Sequence, residues 1–199
     1  MKKILSILIL SMCFTSCVNT DDGTSSRLPD LTTEGKNTFG CKIDDQIFIP
    51  KWKVIGTPYS NPILKAVYGL DEYYYNGYHL AIIANNEVLK KFISIELVGG
   101  VNPLVEGNTY PISVNQDNNI HASYEHWGET IDNGNGTGVI LHYWFNTDNS
   151  NYGELEIIKL DTENRIISGR FWFNCKDINS NTISHLTEGR FDLKYTPSF

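Results

Sequence analysis

The chain has 199 residues, is 41% hydrophobic and carries a formal net charge of −7. That hydrophobic share supports a packed core and excludes wholesale disorder. The acidic balance argues against nucleic acid as a partner and against a polybasic membrane patch.

The chain opens Met1-Lys2-Lys3, runs apolar from Ile4 to Phe14 and then reads Thr15-Ser16-Cys17. Two lysines before an apolar run of this length form the pattern of a secretory signal peptide. The run is shorter than the roughly 20 apolar residues of a membrane-spanning helix. Small residues directly before a cysteine resemble the lipobox of bacterial lipoprotein signal peptides, although Phe14 stands where Leu or Val is usual. The resemblance implies cleavage after residue 16 and lipid attachment at Cys17, with an ordinary signal peptide and a free Cys17 as the alternative. Two or more acyl chains make a stable anchor, so the expected location is the outer membrane or cell surface, in an oxidising compartment. Removing residues 1–16 takes away Lys2 and Lys3 and moves the net charge from −7 to −9.

Residues 17–36 carry Asp, Thr, Ser and Gly with few large apolar side chains, the composition of a solvated tether. As a flexible coil, roughly 20 such residues span about 25 Å. Asp21-Asp22 is similar to the acidic export signal of Bacteroidetes surface lipoproteins, a pair that also arises by chance.

From residue 37 to 199 the sequence reads as one β-rich domain. Strands are expected at Phe39–Ile43, Gln46–Ile49, Leu64–Tyr68, Tyr78–Ala84, Phe92–Val98, Thr109–Val114, Ile120–Tyr124, Val139–Phe145 and Tyr152–Leu160. Two more have the clearest period of two. Ile167–Cys175 sets Phe171, Phe173 and Cys175 against Arg170, Trp172 and Asn174. Gly189–Tyr195 sets Phe191, Leu193 and Tyr195 against Arg190, Asp192 and Lys194. The polar turn Asp177 to Asn181 joins these two as a hairpin. Only Asn86 to Lys91 has room for a turn of helix. The fold class is therefore all-β, an antiparallel sandwich or flattened barrel of about ten strands. Gly169-Arg170-Phe171 recurs as Gly189-Arg190-Phe191 without flanking similarity, which suggests two neighbouring strands solving one packing problem, each glycine under its partner's ring.

Asn37-Thr38-Phe39-Gly40-Cys41, then Asp44-Asp45 and Phe48-Ile49-Pro50, resemble the opening of an uncharacterised family of Bacteroidetes lipoproteins. Gly107-Asn108-Thr109-Tyr110-Pro111, Ile167-Ser168-Gly169-Arg170-Phe171 and Glu188-Gly189-Arg190-Phe191-Asp192 resemble its later segments. The resemblance implies a β-rich fold at the cell envelope and brings no activity or catalytic residue. Asp44-Asp45 departs from the Asn-Gly usual at the first turn and leaves the turn type open.

Cys41 and Cys175 fall on the apparent core face, as a disulfide, two buried thiols or a metal or catalytic pair. His79, His121, His126, His142 and His185 have no metalloprotease spacing. No nucleophile-elbow pattern, EF-hand loop or assignable carboxylate pair is present, so no catalytic residue, metal or cofactor is assigned. The second faces of two strands hold Trp144 with His142 and Trp172 with Arg170. If exposed and adjacent, these four make a platform on which sugar faces stack, and if covered they are ordinary packing. The sequence thus points to a non-enzymatic binding or scaffolding lipoprotein, with a glycan-binding accessory protein of a surface uptake system as the alternative.

Overall fold

The computed structural model describes residues 27–53, 63–132, 134 and 137–198. The signal peptide and Cys17 lie outside them. The described chain is all-β with no helix. Its strands are β1 (Thr38–Ile43), β2 (Gln46–Phe48), β3 (Leu64–Asp71), β4 (Gly77–Asn86), β5 (Lys91–Gly100) and β6 (Thr109–Ser113), then β7 (Ile120–Asp132), β8 (Gly138–Asn146), β9 (Gly153–Asp161), β10 (Ile166–Asp177), β11 (Ile183–Lys194) and β12 (Thr196–Pro197). Asn86 to Lys91 is a β4–β5 turn, closed by the Leu89 N–H on Asn86 Oδ1 at 2.8 Å.

These twelve strands form one mixed sheet ordered β12-β3-β4-β5-β7-β6-β9-β10-β11-β1-β2, with β8 pairing β7 and the end of β10. Two junctions, β6–β7 and β12–β3, are parallel, and the other pairings between strands are antiparallel. The sheet curls back on itself. β12 leaves the end of β11 and pairs with β3, while Lys51, just past β2, bridges Asn86 at the end of β4. One core fills the concave side, running from Phe39, Phe48 and Phe173 through Ile82, Ile95 and Ile112 to Leu155 and Leu193. Fully burying each such side chain contributes about 1.5–3 kcal/mol.

Local chemistry sets the edges. Asp44 and Asp45 both adopt positive φ, at 48° and 67°, which makes the β1–β2 connection a type I′ turn without a glycine. Two further bonds brace it: Asp44 Oδ1 accepts from the His185 N–H at 2.8 Å, and the Asp44 N–H donates to the His185 carbonyl at 2.9 Å.

Residues 28–36 are not a solvated tether. They form a strap laid along the outside of β1 and β11. Asp192, 1% exposed, gathers them: Oδ1 accepts from the Gly35 N–H at 2.7 Å, while Oδ2 accepts from Thr32 Oγ1 at 2.6 Å and from the Glu34 and Lys36 N–H groups at 3.0 and 3.2 Å. Pro29 packs over Gly40, where an added Cβ would lie 2.6 Å from the proline ring.

Candidate functional site

The register across β6, β9, β10 and β11 places Thr109, Glu156, Arg170 and Arg190 in one transverse row. A second row carries Pro111, Glu154 and Trp172. All of these lie on the face opposite Phe171 and Phe173, so they point away from the core. Leu31 of the strap walls one side, and the result is a groove of about 400 Å³.

Its side chains are held in pairs. The Trp172 indole N–H donates to Glu154 Oε2 at 3.2 Å, and Tyr152 meets the indole edge-on at 6.0 Å. Arg170 lies 3.9 Å from Glu156, and Arg190 lies 3.6 Å from Glu188. Glu188 sits at a bulge, where β11 runs three residues from Leu186 to Gly189 while β10 runs two from Phe173 to Phe171. Its φ of 52° turns the side chain toward Lys42, whose Nζ lies 2.5 Å away. The Lys42 ammonium holds the Glu188 carboxyl below the usual carboxylate range. Guanidinium donors and carboxylate acceptors thus flank a half-buried indole, an array suited to a ligand with both hydroxyl groups and an apolar face.

The four residues expected to share a platform do not share one. Trp172 and Arg170 line this groove. His142 and Trp144 stand on β8, where the Trp144 carbonyl accepts from the Ile178 N–H at 2.8 Å. Ile178, one residue past the end of β10, is six residues from Trp172, about 20 Å at the rise of an extended strand. The reason is the sheet order: β9 pairs with the Trp172 stretch of β10, and β8 reaches β10 only at Lys176 and Asp177. His142 instead belongs to a second cluster. It stacks on Trp127 at 4.7 Å, meets Trp144 edge-on at 4.6 Å and lies 3.0 Å from Glu125 Oε2.

Cys41 and Cys175 are free and buried, so the disulfide is not formed. β11 runs between their strands, and two interstrand spacings of about 4.8 Å exceed the Cα separation of about 7 Å that a disulfide tolerates. Burial pushes both thiols well above their ordinary range.

Among the described residues, no three His, Cys, Asp or Glu side chains gather as a metal-ligand set. Ser198 lies between Asp71 and His79: its hydroxyl donates to Asp71 Oδ2 at 3.0 Å, and His79 Nδ1 is 3.3 Å away. A serine nucleophile needs its histidine oriented by the acid, whereas here the acid holds the serine and Tyr75 stacks on the imidazole at 4.0 Å. The three tie the C-terminal segment to the β3–β4 turn.

No family model, curated protein or solved structure matches this chain.

Proposed function

We propose that the chain is a lipid-anchored protein of the cell envelope whose domain binds without catalysing, and that the groove around Trp172 is its ligand site. The supporting observation is the arrangement there: a half-buried indole tied to Glu154, beside Arg170 with Glu156 and Arg190 with Glu188, over about 400 Å³. A glycan is the ligand class that uses all of it, stacking one sugar face on Trp172 and sharing hydroxyl groups with the guanidinium and carboxylate groups. The proposed anchor is Cys17, within an envelope lipoprotein of the kind its opening and closing motifs resemble.

The test is a glycan array probed with the tagged chain beside its Trp172→Ala and Trp144→Ala variants. Binding that is lost with Trp172→Ala and kept with Trp144→Ala is the expected result. No binding, or binding indifferent to Trp172, removes the sugar reading. For the anchor, Cys17→Ser should release a folded protein from the membrane fraction, and retention of that variant contradicts it.

A further inference from the structure

The outer part of the β7–β8 hairpin stands beyond the rest of the sheet. β5 pairs with β7 only over Ile120–His126, and β10 pairs with β8 only at Phe145 and Asn146. Past those points β7 and β8 pair with no other strand among the described residues; the Trp127 N–H donates to the Lys90 carbonyl at 3.0 Å and the Trp144 carbonyl accepts from the Ile178 N–H, and beyond these the ribbon is on its own. Both faces of β8 are then open: Val139 is 47% exposed, Ile140 56%, Leu141 37% and Tyr143 37%. An isolated two-stranded ribbon is marginal in water, and a long, flat, apolar edge is one that soluble proteins usually blunt with Lys, Pro or a bulge. This edge has none of these. Its bulge lies on β7, between Trp127 and Thr130, and Gly138 to Phe145 contains no Asp, Glu, Lys or Arg.

Backbone phase shows which groups the edge offers. The Trp144 carbonyl faces outward, since it accepts from Ile178 just past β10, and the Thr147 N–H faces the other way, donating to the Ala122 carbonyl of β7 at 3.0 Å. Alternation then turns the N–H and C=O groups of His142 and Ile140 outward.

We propose that β8 pairs edge to edge, antiparallel, with β8 of a second copy of this chain, about a twofold axis at Leu141. An antiparallel pair of identical strands is self-complementary, as a closed dimer requires. Ile140 of each copy exchanges backbone hydrogen bonds with His142 of the other. Leu141 meets its own counterpart, and Val139 meets Tyr143, all on one face. The pairing stops at Tyr143, because Ile178 already holds the Trp144 carbonyl. Charge favours this partner. With no Asp, Glu, Lys or Arg between Gly138 and Phe145, the strand carries no fixed charge to repel its copy, while the acidic Glu129 and Asp132 lie on β7, one strand removed from the contact. The connection between the strands reads Asp-Asn-Gly-Asn-Gly-Thr from Asp132 to Thr137, a polar tip unsuited to entering a bilayer, so the apolar flank is the contact surface. This inference is independent of the sugar site.

The pairing places the two Leu141 Cα atoms about 4.5 Å apart, as a non-hydrogen-bonded pair within disulfide reach. In the full chain, kept in detergent and mildly oxidised, Leu141→Cys should run as a disulfide-linked dimer on a non-reducing gel. Unsubstituted chain and Glu129→Cys should not. Adding Ile140→Lys to Leu141→Cys should abolish the dimer while leaving the melting curve in place. No dimer from a folded Leu141→Cys, or an equal yield from Glu129→Cys, overturns the proposal. So does a single-chain mass for the unsubstituted protein at tens of micromolar, or a ribbon whose Ile140→Lys change releases the monomer from phosphatidylcholine vesicles.

Discussion

Gly189 lies directly opposite Phe171 across the β10–β11 ladder, and a Cβ at that glycine would stand 2.6 Å from three atoms of the ring. Gly169 and Phe191 repeat the relationship in reverse, with Arg170 facing Arg190 between them. The repeated Gly-Arg-Phe segments therefore form one reciprocal unit. Each ring covers the other strand's glycine on the core side, and both arginines project into the groove. Gly189→Ala forces the ring or the strand to move and should destabilise by about 1–3 kcal/mol, the usual cost of overpacking. Combined with Phe171→Leu, the loss should be smaller than the sum of the single losses, because the pair shares one contact. Urea denaturation of the four proteins measures this, and strict additivity would show that the ring does not constrain the glycine.

Asp192→Asn should free the strap. Burial alone would raise the Asp192 pKa, yet hydrogen bonds from Thr32 and the Glu34, Gly35 and Lys36 amides outweigh it and hold the carboxyl below its usual range. A carboxylate stabilised in this way supports folding above its ordinary pKa, and the support fades as pH falls through the lowered one. Bonds to a charged acceptor contribute about 1.5–3 kcal/mol each, part of which the amide oxygen of Asn recovers. We expect a loss of about 2–3 kcal/mol in denaturant, with new protease cleavage between residues 28 and 36. Unchanged resistance to cleavage would mean that Asp192 does not hold the strap.

Acid should weaken the fold well before its carboxylates titrate. His79, His121 and His126 all have lowered pKa values, first through burial. Lys91 and Lys90 lower His126 further, whereas nearby acids partly offset the effect at His79 and His121. In the unfolded chain these histidines take up protons at their ordinary pKa of about 6.5, before the folded chain does. Stability is thus complete above that value and declines as pH falls below it. The melting temperature should be flat from pH 8 to 7 and fall toward pH 5, with His121→Gln reducing the slope. An unchanged slope would remove His121 from the account.

The free thiols give a further check. Cys41 and Cys175 should react with a maleimide only as fast as the domain opens, and reductant should leave the melting temperature unchanged. A shift on reduction would mean a bonded pair.

Much of the strand pattern was legible because inward and outward residues alternate cleanly, as at Phe171, Trp172 and Phe173. The reciprocal glycines were legible for a similar reason, since the matching segments lie on strands joined by a short turn. Asp192 misled because its alternation is that of an exposed residue; it is buried only by the strap, a segment about 160 positions away with no apolar pattern to betray it. Trp144 and Trp172 occupy equivalent outward positions, but adjacency depends on strand order, and the insertion of β9 leaves no local mark. Trp127 and Glu154 joined their clusters through cross-strand register, and the parallel β12–β3 pairing likewise follows from tertiary closure.

The strap also decides how the domain bears load. A pull on the chain upstream of Arg27 first meets the Pro29 contact on Gly40 and then the four hydrogen bonds at Asp192, before tension reaches β1. Those bonds act as a strain relief. Residues 28–36 can peel away while the paired strands hold, and because Leu31 walls the groove, the same pull opens the groove on that side.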